Sequence, residues 1–203
     1  LTTDMTKPQV LELFAERVES KLIDLDSGEY IEGDANLFDE RRASRDPSQS
    51  KKLENDPATI SRRADKAAVF LVKGNSGAVE TVVLPVHGSG LWDLMFGYVG
   101  LEPDLNTVRS VIYSDHKETP GLGALVVSDK WKALWPGKKM FDENNNVAIK
   151  IVKGGAKPGD IHGVDALSGA TLTSNGVEHT MHFWLGDQGY GAFIEKHRSG
   201  GLK

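Results

Sequence analysis

Four consecutive segments of strand-forming residues in the middle of the chain constrain the fold more than any other feature. The segments are short, apolar and rich in β-branched side chains, and they cover 67–72, 80–86, 96–101 and 108–113. Turn sequences at 74–77 and 103–106 separate the first pair and the last pair. Strands joined by short turns pair antiparallel, because a parallel connection needs a long crossover. The sequence therefore predicts a mainly antiparallel sheet.

The first sixty residues have a different pattern. Residues 8–25 carry apolar side chains near helical spacing, and Thr6 precedes them as a predicted helix cap. A short hairpin is predicted between 23–25 and 29–31. Residues 34–57 are charged and lack a hydrophobic period, which is typical of a surface segment.

The C-terminal half supplies the remaining predicted elements. They are a helix over 122–134, a strand over 147–152, a helix over 176–185 and a short helix over 192–197. Asn175 and Glu178 have the spacing of a capping box, which predicts that the helix over 176–185 begins near Gly176. Strands grouped together with helices at the ends predict an α+β fold with an N-terminal α/β extension. We predict a division into residues 1–60 and a core domain of residues 61–203.

Composition excludes several functional classes. The net charge is −5 and no basic block is present, which argues against a nucleic-acid partner. The chain has no cysteine, so disulfides, cysteine-ligated Fe–S clusters and cysteinyl flavin links are excluded. No run approaches the length of a membrane-spanning helix.

A run of small and hydroxyl residues, 165–174, leads directly into the predicted helix over 176–185. The start of a helix offers free backbone N–H groups and the positive end of a dipole, and both suit a phosphate group. The same residue types also serve as ordinary caps and turns, so residue type alone leaves both interpretations open.

The order of residues in this run is more specific. Asp165-x-x-Ser168-Gly169-Ala170-Thr171 resembles the flavinylation motif of the covalent FMN-binding protein family. In that family the last threonine carries FMN through a phosphoester on its side-chain oxygen. The resemblance therefore implies a covalent FMN at Thr171, attached from FAD by a separate Mg²⁺-dependent flavin transferase.

Other segments resemble the same family, in particular the C subunits of bacterial Na⁺-translocating NADH:quinone reductases. These segments are Gly90-Leu91-Trp92, Gly97-Tyr98, Glu118-Thr119-Pro120-Gly121-Leu122-Gly123, Trp131 to Lys139 and Val152 to Gly155. Residues 61–203 are accordingly predicted to be the FMN-binding domain. The resemblance implies an electron-transfer subunit that relays electrons from NADH towards ubiquinone inside a Na⁺-exporting complex, with the other subunits as partners.

The resemblance also implies a location. Such subunits have one N-terminal membrane helix, followed by a soluble domain on the periplasmic side of the bacterial inner membrane. The chain begins at Leu1 rather than Met. We therefore expect it to be that soluble domain, with the membrane helix absent from this chain.

The candidate cofactor-binding residues follow from these motifs. Trp92, Leu122 and Leu167 are predicted ring contacts, and Glu118 and Thr119 are expected at the polar edge of the flavin. The other candidates belong to the turns, the attachment loop and the helix start: Gly121, Gly123, Lys153, Ser168, Gly169, Ala170, Thr173 and Ser174. Capping is the preferred role for Thr173 and Ser174.

Three alternatives remain open. The chain is also compatible with the equivalent flavin subunit of a ferredoxin:NAD⁺ oxidoreductase, or with a flavin-free periplasmic interaction module. A metal-dependent hydrolase would use His179 and His182, which are three residues apart, but no clear third ligand accompanies them. We expect neither a catalytic residue nor a metal site in the chain.

Overall fold

The computed structural model describes residues 6–202, and its elements follow one another in an α+β order. They are α1 (Lys7–Arg17), β1 (Val18–Asp24), β2 (Tyr30–Ile31), α2 (Glu40–Ala43), β3 (Ser50–Lys52), β4 (Arg62–Ala64), β5 (Lys66–Lys73), β6 (Val79–Ser89), β7 (Leu94–Leu101), β8 (Val108–Asp115), a 3₁₀ helix (Gly123–Val127), α3 (Asp129–Lys132), β9 (Lys150–Val152), β10 (Gly163–Asp165), α4 (Thr171–Leu185) and α5 (Gly191–Gly200).

The main sheet has six strands in the order β2-β1-β5-β6-β7-β8, and all neighbouring pairs are antiparallel. The four strands predicted between residues 67 and 113 are confirmed as β5 to β8. The predicted fold class, α+β with a mainly antiparallel sheet, is confirmed. Two smaller sheets flank it, an antiparallel pair β3-β4 and a parallel pair β9-β10.

The N-terminal helix is shorter than the periodicity predicts. α1 ends at Arg17, and from Val18 to Asp24 the chain pairs along seven residues of β5. The β-sheet pairing therefore overrides the helical spacing of the same apolar residues. The predicted hairpin forms, with Ile23 opposite Tyr30. The predicted division at residue 60 stays a prediction, but the main sheet includes strands from both sides of it.

One face of the sheet carries the hydrophobic core, which α4 and α5 cover. Trp184, Tyr190 and Phe193 are fully buried against it. The indole N–H of Trp184 donates to the backbone oxygen of His87 at 2.6 Å, and the Tyr190 hydroxyl donates to that of Pro85 at 2.7 Å. These bonds satisfy the polar atoms of two large aromatic side chains that the helices bury against β6.

The segment 34–57 is more ordered than its composition predicts. It contains α2 and β3, and it buries Ala35 together with Leu22 and Ala68 in a second, smaller hydrophobic cluster. Asp39 caps α2 by accepting a hydrogen bond from the backbone N–H of Arg42 at 3.0 Å. Most residues of the segment are exposed, so the predicted surface location is confirmed. The segment nevertheless has regular structure, and a few small apolar residues dock it on the sheet.

Two further predicted elements need correction. The helix expected over 122–134 is a 3₁₀ helix followed by α3, because Ser128 is extended (φ −70°, ψ 142°) and its hydroxyl caps α3. The strand expected over 147–152 is confined to β9, while Val147 forms an isolated bridge with Phe141. The last predicted helix, 192–197, is confirmed within α5.

Candidate functional site

The last four residues of the hydroxyl-rich run, 171–174, form the first turn of α4, and residues 165–170 precede the helix. Ala170 is the N-cap, and its backbone oxygen accepts from the N–H of Ser174 at 3.0 Å. The predicted helix start near residue 176 and the capping box are therefore wrong. Glu178 lies inside the helix, and its carboxylate accepts from the backbone N–H of Ile151 at 2.5 Å. This bond ties α4 to β9.

The hydroxyl groups of this turn differ in accessibility. Thr171 is exposed, whereas Thr173 and Ser174 retain only 1% and 2% of their accessible surface. The Ser174 oxygen accepts from the backbone N–H of Leu167 at 3.0 Å, so it braces the preceding loop. The Thr173 hydroxyl donates to the Glu118 carboxylate. Within this turn, the surface hydroxyl is that of Thr171.

A cavity of about 470 Å³ lies beside Thr171. Its lining includes Ile151, Lys153, Gly154, Gly155, Asp165, Ala166, Leu167, Ser168, Gly169, Thr171, Ser174 and Asn175. The volume is within the usual range of small-molecule sites. The backbone N–H groups at the start of α4 have no acceptor within the helix, so this end of the cavity favours an anionic group.

The opposite wall of the cavity is a glycine turn. Gly154 and Gly155 have φ values of 83° and 96°, which side-chain-bearing residues rarely adopt. The Asp165 carboxylate accepts from the backbone N–H of Ala156 at 2.8 Å and so holds this turn against the loop that leads to α4. Lys153 is exposed and makes no ion pair with another described residue. Its ammonium group is available to a phosphate.

Glu118 is buried beneath the site instead of lying at the edge of the cavity. One carboxylate oxygen accepts from the backbone N–H groups of Leu91 and Trp92 at 3.0 and 3.2 Å, and the other accepts from Thr173. A Cβ atom at Gly90 would lie 2.5 Å from Glu118 Oε1, and one at Gly123 would lie 2.6 Å from Oε2. Both glycines therefore make room for the carboxylate. Its predicted contact with the flavin edge has no support from this orientation.

Large apolar side chains are exposed around the same end of the molecule. Trp92, Leu122 and Leu172 expose 68%, 43% and 61% of their surface, and we call these three residues the apolar platform. The indole N–H of Trp92 donates to the Thr119 hydroxyl at 3.0 Å. Leu122 lies close to Gly169, where a Cβ atom would be 3.0 Å from its side chain. Exposed apolar side chains of this kind suit contact with an aromatic ring or with another protein surface.

The structure thus brings the predicted site residues to one end of the fold, in three groups. Lys153, Leu167, Ser168, Gly169, Thr171 and Ser174 line the cavity, with Leu167 itself buried. Trp92, Thr119 and Leu122 lie at the surface nearby, and Gly121 (φ 73°) shapes their turn. Ala170, Gly123, Glu118 and Thr173 are buried supports.

Sequence reasoning omitted some residues that contribute to the site. Ile151 and Asn175 line the cavity, and Gly176 brings α4 close to the sheet. A Cβ atom at Gly176 would lie 2.2 Å from the backbone oxygen of Ser89. Glycine has a low helix propensity, so a glycine in a predicted helix can signal that another segment packs closely against it.

The histidine pair on α4 has no surroundings typical of a metal site. His182 Nε2 lies 2.7 Å from the backbone oxygen of Ile149, and His179 is exposed. Among residues 6–202, no group of three His, Cys, Asp or Glu side chains is placed to hold a metal ion. Within the same residues, no helix has the length and hydropathy needed to cross a membrane.

A second cavity, of about 440 Å³, lies on the other face of the sheet beneath residues 35–41. Glu40 Oε1 is 3.4 Å from His87 Nδ1 and has no hydrogen-bond partner among the described residues. Burial raises the pKa of Glu40 to about 8, against a smaller lowering by Arg41. Burial, and secondarily Arg41, lowers the pKa of His87 to about 4. The polar composition of residues 34–57 gave no signal of this pair.

Comparison with known proteins agrees with the site. The family model described as "FMN-binding domain" matches residues 90–186. The chain is 52% identical over 201 residues to the C subunit of the Na(+)-translocating NADH-quinone reductase of Vibrio vulnificus, covering 98% of this chain and 78% of that protein. It is 46% identical over 201 residues to the corresponding protein of Yersinia pestis, covering 98% and 76%.

Two solved structures are also similar. The crystal structure of Shewanella oneidensis NqrC superposes with a TM-score of 0.92 at 44% identity, covering 96% of this chain and 90% of that one. The crystal structure of the C subunit of the Na(+)-translocating NADH-quinone reductase from Parabacteroides distasonis superposes with a TM-score of 0.72 at 28% identity, covering 95% and 85%.

Proposed function

The chain belongs to the family of C subunits of Na⁺-translocating NADH-quinone reductases, and on that premise we propose that it carries one FMN bound covalently through Thr171. The observation that carries the proposal is the accessibility of this hydroxyl. Thr171 lies exposed at the N-terminus of α4 and beside a cavity, while the neighbouring Thr173 and Ser174 hydroxyls are buried and hydrogen-bonded.

The site fits the phosphate of the cofactor. The α4 N-terminus and the Lys153 ammonium supply positive potential on two sides of the cavity. Gly154 and Gly155 keep the wall free of side chains, so a ligand can approach the backbone. Asp165 faces the same cavity, but one of its carboxylate oxygens is committed to the Ala156 N–H. Its role is to hold the glycine turn in place.

Attachment requires an external enzyme. A threonine hydroxyl is a weak nucleophile, and no histidine lines the cavity to act as a base. We infer that a flavin transferase forms the bond between Thr171 Oγ and the phosphorus of the FMN half of FAD. The pyrophosphate bond of FAD breaks, and AMP leaves with the proton of the hydroxyl. The exposed position of Thr171 leaves it accessible to such an enzyme.

The bound FMN would accept and pass on electrons. The apolar platform of Trp92, Leu122 and Leu172 is exposed at the site, so a ring placed there would face a neighbouring subunit. The chain would act as an electron carrier in an NADH:ubiquinone reductase that exports Na⁺. The sites for NADH, quinone and Na⁺ would belong to the other subunits.

The proposed location is the periplasmic face of the bacterial inner membrane. An N-terminal membrane helix outside this chain would anchor the domain there. This part of the proposal rests on the family, and fusing a reporter to the C-terminus of the full-length protein and testing its protease accessibility in spheroplasts would check it. A reporter protected inside intact spheroplasts would contradict it.

Intact mass of the denatured protein tests the covalent cofactor. Co-expression with a flavin transferase should add the mass of one FMN minus one water to the wild-type chain. The Thr171→Ala variant should show no addition. Ser76→Ala is the matched control, because Ser76 is an exposed hydroxyl residue in the 74–77 turn, outside the motif and the cavity. It should be loaded like the wild type.

The alternatives predict other results. An unshifted wild-type mass, with the transferase active on a second substrate, would favour a flavin-free interaction module. If the chain is loaded but accepts electrons only within a ferredoxin:NAD⁺ oxidoreductase assembly, the proposed complex is wrong while the cofactor assignment holds. Reconstitution with the partner subunits of each complex separates these two cases.

A further inference from the structure

The Glu118 carboxylate joins three segments that are distant in sequence. It accepts from Leu91 and Trp92, which lie 27 and 26 residues before it along the chain, and from Thr173, which lies 55 residues after it. The carboxylate is buried, and the contacts are to backbone N–H groups and to a buried hydroxyl. Each bond therefore avoids leaving a buried polar group unpaired, so the three segments are held firmly in one arrangement.

The surrounding backbone is adapted to this carboxylate. Side chains are excluded at Gly90 and Gly123, where a Cβ atom would approach the two carboxylate oxygens to within 2.5 and 2.6 Å. A Cβ atom at Gly123 would also lie 2.5 Å from Thr173 Oγ1. Real Cβ contacts are not this short, so the two turns can close only around glycine.

The bond to Thr173 determines how the first turn of α4 faces the solvent. Residues two apart on a helix point to nearly opposite sides, because each residue turns the helix by about 100°. Anchoring Thr173 inward on Glu118 therefore directs Thr171 outward to the cavity. The neighbouring Thr119 hydroxyl accepts a hydrogen bond from the indole N–H of Trp92 at 3.0 Å. Glu118 therefore holds the backbone of Trp92, and Thr119 holds its ring.

We propose that Glu118 is the positioning residue of the flavin site, and that its carboxylate fixes the attachment hydroxyl of Thr171 relative to the apolar platform at Trp92. Glu118 acts through Thr173 and the 90–92 turn, without touching the flavin itself. This inference rests on the proposed covalent FMN at Thr171. It extends that proposal by naming the carboxylate that sets the distance between the Thr171 hydroxyl and the apolar platform.

The test uses two measurements on Glu118→Ala, Glu118→Gln and Thr173→Val, with Glu143→Ala as control. Glu143 is an exposed glutamate in a turn. The first measurement is hydrogen–deuterium exchange of the unloaded chain, which needs no flavin. In Glu118→Ala the amides of Leu91 and Trp92 should exchange at least about tenfold faster, because they lose their acceptor. In Thr173→Val these amides should stay protected, while the Ser174 amide, which donates to the backbone oxygen of Ala170, should exchange faster.

The second measurement is the rate of FMN attachment by the transferase, followed by intact mass and separated into kcat and KM for the protein substrate. In Glu118→Ala kcat should fall by about 10- to 100-fold, because displacement of a reacting group by about 1 Å has effects of this size. Glu118→Gln should recover most of the rate. Its amide oxygen can accept from Leu91 and Trp92, and its amide N–H can donate to the Thr173 oxygen.

The outcomes are distinguishable. Wild-type attachment kinetics and unchanged exchange in Glu118→Ala would overturn the inference, and so would a glutamine variant as slow as the alanine variant. If Glu118→Ala does not fold, Thr173→Val still decides, because an unchanged attachment rate in that variant would contradict the proposed anchoring. If the wild type is never loaded, the proposed function fails, while the exchange measurement still tests the role of Glu118.

Discussion

Two glutamates on opposite sides of the sheet, Glu118 (5% exposed) and Glu40 (side chain 18% exposed), differ in their hydrogen bonding. Glu118, beneath the candidate site, accepts three hydrogen bonds from Leu91, Trp92 and Thr173. Glu40, beneath residues 35–41, has an oxygen without a hydrogen-bond partner among the described residues, and its nearest ring nitrogen, on His87, is 3.4 Å away. The Glu118 carboxylate holds its neighbours in place through these bonds, whereas burial without donors raises the pKa of the Glu40 carboxyl group.

The difference teaches how a ligand site can be distinguished from a cavity. The two cavities have similar volumes, about 470 and 440 Å³. At the cavity beside Thr171, the buried Thr173 and Ser174 hydroxyls are hydrogen-bonded to Glu118 and to the Leu167 backbone N–H. The exposed Thr171 and Lys153 side chains line the open space. At the second, Arg41 is engaged with Asp115 at 2.9 Å and stacks on Phe96. At this second cavity, the Arg41 side chain therefore holds residues 35–41 on the sheet.

The largest expected effect is on Glu118. Glu118→Ala should lower the free energy of unfolding by about 3 kcal/mol, because the buried Thr173 hydroxyl and the backbone N–H groups of Leu91 and Trp92 lose their acceptor. Chemical denaturation at pH 6 measures this loss. Glu40→Ala at the same pH should cost clearly less, since no donor is left unpaired. Equal losses in the two variants would contradict the comparison.

The glycines around Glu118 provide a steric test. Gly123→Ala should cost about 2 kcal/mol, because its Cβ atom meets Thr173 and Glu118. Gly121→Ala is the matched control. Gly121 has a positive φ of 73° but open space around it, so that variant should cost only about 1 kcal/mol from backbone strain. Denaturation curves of both variants measure the loss in the free energy of unfolding. A larger loss in Gly121→Ala than in Gly123→Ala would show that backbone strain outweighs the steric clash.

The Glu40–His87 pair should make stability depend on pH. The folded state keeps a proton on Glu40 that the unfolded chain loses above about pH 4.5, so stability falls as the pH rises towards 8. His87 has the opposite effect between pH 4 and 6.5, and the two slopes cancel there. We expect a net loss of about 1.5 kcal/mol between pH 6.5 and 8.

Denaturation midpoints across this pH range measure the loss. Glu40→Gln should remove it, because glutamine does not titrate, while Glu143→Ala should retain it. A wild-type curve that is flat from pH 6.5 to 8 would mean that Glu40 ionises normally in the folded protein.

The smallest expected effect concerns Arg41. Arg41→Ala should cost about 0.5–1 kcal/mol at pH 6, since the lost ion pair with Asp115 is exposed and the stacking on Phe96 is modest. It should also move the Glu40 transition to higher pH, because Arg41 lowers the pKa of that group. Repeating the pH series in this variant checks the shift, and a shift to lower pH would contradict the assignment.

Local patterns in the sequence were sufficient to predict much of the fold and the candidate site. Short β-branched segments and turn residues predicted β5 to β8 correctly, because strands and short turns depend on neighbouring residues. The motif ending at Thr171 directed attention to the end of the fold where the structure has a cavity and the exposed Thr171 hydroxyl, and attachment at Thr171 stays a prediction. The start of α4 was misplaced by five residues, since Asn175 and Glu178 imitate a capping box within the helix.

Tertiary structure alone decided the contacts between distant segments. It placed β1 beside β5, where seven paired residues override a helical period, and it docked residues 34–43 on the sheet. It also turned Glu118 inward, onto donors 26 to 55 residues away along the chain. A local sequence pattern carries no information on such distances, because burial and hydrogen-bond partners exist only after the chain has closed on itself.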